Sequence, residues 1–121
     1  MKIKWRRNKD NFLLYIPRKN HHNWIEKDGK VYLIFIHDKI AEKIVQKLFK
    51  KPRVTDIKLD EIGTYVWHLI DDNRNVYEIG KCLFEKYGKD CEPVYDRLIM
   101  YLRYLNKKGW IRFRKEEYVK A

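Results

Sequence analysis

Cysteine is scarce in this 121-residue chain, which holds only Cys82 and Cys91. Their spacing is neither a CxxC pair nor a zinc-site pattern, which sets aside a disulfide framework and a thiolate metal site. Long apolar runs are also missing: FLLYI and VYLIFI are strand-sized, far below the roughly 20 residues of a membrane span. With 5 glycines and 3 prolines, the chain has no linker, internal repeat or low-complexity tract. The opening MKIKWRRNKDN leads to no signal-peptide core or small-residue cleavage site, so the expected location is cytoplasmic. His21, His22, His37 and His68 show no HxxxH spacing, so no metal is expected.

What is present is charge, and it is unevenly placed. The net charge is +11; from Met1 to Lys51 there are 14 Lys/Arg against 5 Asp/Glu, and from Pro52 to Ala121 14 against 12. A basic excess ordinarily raises nucleic acid as a partner, so its location matters more than its size. The length fits one domain with one core.

Periodicity orders the elements. WIEKDGKVYLIFI, Trp24 to Ile36, reads as a β-hairpin turning at Asp28-Gly29. Its second arm is apolar at nearly every position, so both faces are expected to be covered. DKIAEKIVQKLFKK, Asp38 to Lys51, reads as an amphipathic helix with Ile40, Ile44, Val45, Leu48 and Phe49 opposite Lys39, Lys43, Lys47 and Lys50. RVTDIKL, Arg53 to Leu59, alternates as a short half-buried strand suited to a sheet edge.

Three helices follow. One runs from the N-cap Asp60 to about Asp71. A second starts at Asn75, where Glu78 completes a capping-box pattern, and stops at Gly88. A third begins near Asp90, accommodates Pro93 in its first turn and ends at Lys107-Lys108-Gly109. WIRFR, Trp110 to Arg114, is a short extended segment before a solvated tail.

Taken in order, LDEIGTYVWHLIDDNRNVYEIGKCLFEKYG and DRLIMYLRYLNKKGWI resemble the PqqD family, named for pyrroloquinoline quinone biosynthesis protein D and also called the RiPP recognition element. The matching positions are Leu59-Asp60, Gly63, Val66-Trp67, Leu69-Ile70-Asp71, Arg74, Val76, Glu78-Ile79 and Gly109. Asp72 stands where the pattern has its second turn glycine, Asn75 replaces the usual Thr, and Asp38 to Lys51 replaces a short loop. The resemblance implies an α+β fold: a small three-stranded antiparallel sheet packed on a winged-helix-like three-helix bundle, here with an extra amphipathic helix between the second and third strands. The expected layout is a single domain: a basic arm over 1–23, the sheet with its inserted helix over 24–59, the bundle over 60–109 and an extended tail over 110–121.

The resemblance further implies a protein without catalytic activity or cofactor, which binds the leader segment of a ribosomally made precursor peptide and presents it to a modifying enzyme, such as a radical SAM protein. The peptide would add as a strand to the edge formed by Val54, Thr55, Asp56, Ile57 and Lys58 and lie against Arg97, Leu98, Tyr101, Leu102 and Leu105 of the third helix. For Leu98, Leu102 and Leu105 the competing reading is core packing. Arg97, Arg103 and the basic N-terminal half favour an acidic leader.

A winged-helix reader of DNA is the main rival, with a structural scaffold as a further reading. Against the DNA reader, the third helix carries Asp90, Glu92 and Asp96 at the end that would approach phosphates. Asp60, Glu61, Asp71 and Asp72 sit at helix ends, where carboxylates cap, and form no acid/base pair. The expected state is a monomer or a homodimer, the dimer formed by exchange of the N-terminal arm.

Overall fold

A computed structural model describes residues 11–37 and 53–115. The inserted helix read over Asp38 to Lys51 lies outside the described residues. Among them the chain is α+β, and its contacts group it into two compact units, one of residues 21–64 and one joining residues 11–20 to residues 65–115.

The first unit is an antiparallel sheet of β2 (Trp24–Lys27), β3 (Lys30–His37) and β4 (Arg53–Lys58), in the order β2-β3-β4. Asp28 and Gly29 join β2 to β3 with φ of 53° and 77°, the doubly left-handed turn that Asp-Gly suits because its twist matches the strands it joins. Val31 and Leu33 are wholly buried, whereas Ile36 on the alternate face is 57% exposed. The expectation that both faces of β3 are covered therefore holds on one face only. β4 also differs from expectation: Val54 to Lys58 are exposed on both faces, and burial begins at Leu59. Its edge position contributes, since a neighbour on one side alone leaves more of each side chain open to water.

Thr64 secures the start of β3. Its Oγ1 accepts the Val31 amide at 2.9 Å, while the Leu59 amide donates to the Val31 carbonyl at 2.8 Å. Asp60 is the N-cap, its carboxylate accepting the Gly63 amide at 2.7 Å. His21 is half-buried. Its ring stacks on Phe35 with centroids 4.4 Å apart, and its Nε2 lies 2.7 Å from the Ile34 carbonyl.

The second unit contains most of α1 (Glu61–Leu69), then α2 (Val76–Tyr87) and α3 (Val94–Lys107), with a ribbon of β1 (Tyr15–Lys19) paired antiparallel to β5 (Ile111–Lys115). Its core includes Trp67, Ile70, Val76, Ile79, Leu102, Leu105 and Ile111, each at most 1% exposed. β1 falls within the stretch read as a basic arm. Its Pro17 opposes Phe113, and the neighbouring register, with the Asn20 amide donating to Trp110 at 2.9 Å, makes 16, 18 and 20 the bonded positions. Pro17, which lacks an N–H, thus falls on the side where no ladder bond is needed.

The predicted start of the third helix moves. Gly88–Cys91 is a 3-10 turn, Pro93 is the N-cap and α3 begins at Val94. A proline disfavours helical backbone in the residue before it, and Glu92 is accordingly extended, with ψ 145°.

Candidate functional site

The outer edge of β4 is set by register. Ile34 donates its amide to Asn23, toward β2, at 2.8 Å. Backbone groups alternate sides along an antiparallel strand, so Leu33 and Phe35 turn theirs toward β4, where they face Ile57 and Thr55. The N–H and C=O groups of Val54, Asp56 and Lys58 consequently point to the outer side. Among the described residues no strand pairs with that side.

Side chains give this edge two different surfaces. Val54, 50% exposed, pairs with Ile36 on one face, where Ile25 is 52% exposed too. Asp56 and Lys58 lie on that face beside Ile34 and Tyr32, and the Lys58 ammonium is 6.0 Å from the Tyr32 ring centre. Thr55 and Ile57 occupy the other face. The exposure of Ile25, Ile36 and Val54 on this face escaped the sequence reading, because a run apolar at every position does not reveal which half will be buried.

α3 sorts its five proposed groove residues into two groups. Leu98, Leu102 and Leu105 are 2%, 0% and 0% exposed, which commits them to packing, the competing reading stated for them above. Tyr101 is half-buried and Arg97 exposed; the Arg97 guanidinium reaches the Asp90 carbonyl at 3.4 Å. Arg103 stacks over Phe12, 5.0 Å from the ring centre. The outward apolar positions on α3 are Met100, 72% exposed, and Tyr104, 48% exposed.

The carboxylates at the helix ends organise the chain. Asp71 accepts the Asn73 and Arg74 amides through one oxygen, at 3.0 and 2.9 Å, and the Arg74 guanidinium through the other at 2.8 Å. Partial burial pushes its pKa up, but the Arg74 and Asn73 amides and the Arg74 charge together hold it below the ordinary carboxylate range. Nearby, Lys19 donates to the Ile70 carbonyl just beyond α1 and sits 5.3 Å from the Trp67 ring. Burial lowers its pKa, against the pull of Asp71 and Asp72. Among the described residues no group of three or more His, Cys, Asp or Glu side chains is placed to hold a metal.

The family model for coenzyme PQQ synthesis protein D (PqqD) matches residues 40–111, more than half of the chain. The chain belongs to the PqqD family. No curated protein and no solved structure matches it.

In this PqqD-family chain the motif residues have identifiable structural tasks. Asp60 caps α1, Asp71 and Arg74 clamp the turn after it, and Asn75 and Glu78 form a complete capping box, each side chain accepting the other's amide at 2.8 Å. Gly109, with φ 82°, terminates α3. In this chain the motif residues hold the helices, whereas the outward positions Val54, Asp56 and Lys58 precede the motif, whose first residue is Leu59. No described helix is long and apolar enough to cross a membrane.

Proposed function

We propose that this protein is a non-catalytic peptide-binding module, which takes the leader segment of a ribosomally synthesised precursor peptide as an added strand on β4 and presents it to a modifying enzyme of the radical SAM type. The observation that carries the reading is the outward-turned backbone of Val54, Asp56 and Lys58 on an exposed edge strand. Membership of the PqqD family supports it. Of the five α3 positions, the reading now rests on Arg97 and Tyr101, with Leu98, Leu102 and Leu105 as their packed support. A winged-helix-like arrangement and cytoplasmic residence belong to the same proposal.

Magnitudes show what else the edge must supply. Three outward residues offer at most six main-chain bonds, each worth a net of roughly 0.5–1.5 kcal/mol. Ordering a peptide backbone costs about 1–2 kcal/mol per residue, so the bonds alone leave little affinity. Side chains of the added strand would lie beside Val54 and Ile57, and burying one large apolar residue there adds about 1.5–3 kcal/mol. A leader with an apolar residue at such a position, flanked by acidic ones, is the expected ligand.

The test is binding of the fluorescein-labelled precursor peptide encoded alongside this protein, read by anisotropy. Asp56→Pro removes an outward N–H while leaving the Thr55 and Ile57 bonds to β3; it should lower affinity by about tenfold or more, the loss of one bond plus local misfit, with cooperative unfolding retained. Equal binding by the variant would overturn the edge assignment, and absence of binding by the unmodified protein would overturn the leader reading.

A further inference from the structure

The β1–β5 ribbon carries three exposed arginines on one face. Register sets Arg18 directly opposite Arg112 and Ile16 opposite Arg114, and opposed residues share a face. Like charges opposite each other disfavour strand pairing. Asp72 relieves only part of this repulsion: its carboxylate is 3.7 Å from Arg18 Nε, and its main-chain carbonyl accepts from Arg114 at 2.7 Å. Arg112 has no hydrogen-bonded or ion-paired side-chain partner among the described residues. Asp72 itself has φ 68°, a left-handed conformation that costs a non-glycine residue about 1 kcal/mol or more. The fold therefore tolerates backbone strain where a carboxylate meets this arginine group.

We propose that the Arg18, Arg112 and Arg114 face docks an acidic segment of a partner polypeptide, and that Asp72 is an internal carboxylate already seated on part of it. Guanidinium forks match carboxylates geometrically. Arg112 and Arg114 are two residues apart on one strand, a separation of about 7 Å, which equals the spacing of alternate side chains in an extended peptide. Two acidic residues at positions i and i+2 of such a peptide can meet both. A nucleic-acid duplex fits less well, because the three arginines of this face, one on β1 and two on β5, fall short of the roughly 6–10 phosphate contacts of a strongly salt-dependent duplex binder. The docking surface is distinct from the β4 edge and does not depend on the leader-binding reading.

The probes are a fluorescein-labelled hexaglutamate peptide, its hexaglutamine counterpart and a short random-sequence DNA duplex, titrated with the full chain at low salt. Hexaglutamate should bind and hexaglutamine should not. Arg112→Gln, which breaks no described side-chain contact, should weaken hexaglutamate binding by about fivefold, an exposed ion pair at the strong end of its range. Combined Arg18→Gln, Arg112→Gln and Arg114→Gln should weaken it by about thirtyfold or more, whereas Asp72→Gly should tighten it. A control removing the same charge elsewhere, Lys81→Gln with Lys86→Gln and Lys89→Gln, should change it by less than about twofold. Equal loss in the lysine control would reduce the effect to net charge and overturn the proposal. So would tighter duplex binding that is lost in the arginine variants, which would assign the face to nucleic acid.

Discussion

Gly80 on α2 is defined by its neighbour. A Cβ there would overlap the Tyr95 ring, whose hydroxyl donates to the Tyr77 carbonyl at 2.9 Å and whose face stacks on Tyr77. Gly80→Ala should therefore destabilise the protein by about 1–3 kcal/mol, the usual cost of overpacking, even though alanine is the better helix former. Urea denaturation checks this, and in a Tyr95→Ala background the penalty should largely vanish. Asp71 makes a pH prediction. Its folded-state pKa is depressed, so the stability it contributes is present above the unfolded value of about 3.9 and disappears as pH falls through the lower folded value. Urea midpoints measured from neutral to acid pH should fall more steeply for the wild type than for Asp71→Asn. The two residues differ in legibility: Asp71 bonds to groups within three positions of itself, whereas nothing near Gly80 in sequence names Tyr95.

Among elements, α2 is the one most completely specified by its own residues. Asn75 and Glu78 close the capping box, the Gly88 amide donates to the Phe84 carbonyl, and Val76, Ile79 and Leu83 supply the buried stripe. Asn75→Ala should cost about 1 kcal/mol, and a double-mutant cycle with Glu78→Ala should be non-additive because the two bonds form one unit. α3 was less legible. Its apolar residues cover more than one stripe, so helical period alone does not say which stripe packs; the structure buries Leu98, Leu102 and Leu105 and leaves Met100 and Tyr104 outward. β4 likewise reads as an alternating strand, but its exposure on both faces depends on which elements reach it.

At the scale of the whole chain, β1 near the start pairs with β5 near the end, Tyr15 with Lys115 through Lys19 with Ile111. Asn20 adds a side-chain bond to the Gly109 carbonyl at 2.8 Å. A chain beginning at Asn20 loses this ladder together with buried Ile16 and Pro17. It should be destabilised by at least about 3 kcal/mol, counting one fully buried aliphatic side chain and a few main-chain bonds. Thermal unfolding followed by Trp fluorescence measures the loss, with Trp67 and Trp110 buried in the same unit.

The amino-acid sequence by itself determined the features that close within a few residues: the Asp28-Gly29 turn, the caps at Asp60 and Asn75, the stop at Gly109 and the motif of the PqqD family. These depend on local backbone preference and on hydrogen bonds between near neighbours, for which residue type and spacing are sufficient information. Tertiary structure decided the partnership of β1 with β5, the stacking of His21 on Phe35, the outward turn of Val54, Asp56 and Lys58, and the convergence of Arg18 and Arg114 on Asp72. Each joins residues from separate segments of the chain or depends on strand register. A one-residue shift in register reverses every side chain and every backbone group along a strand, so alternation in the sequence specifies two opposite faces without saying which of them meets the core.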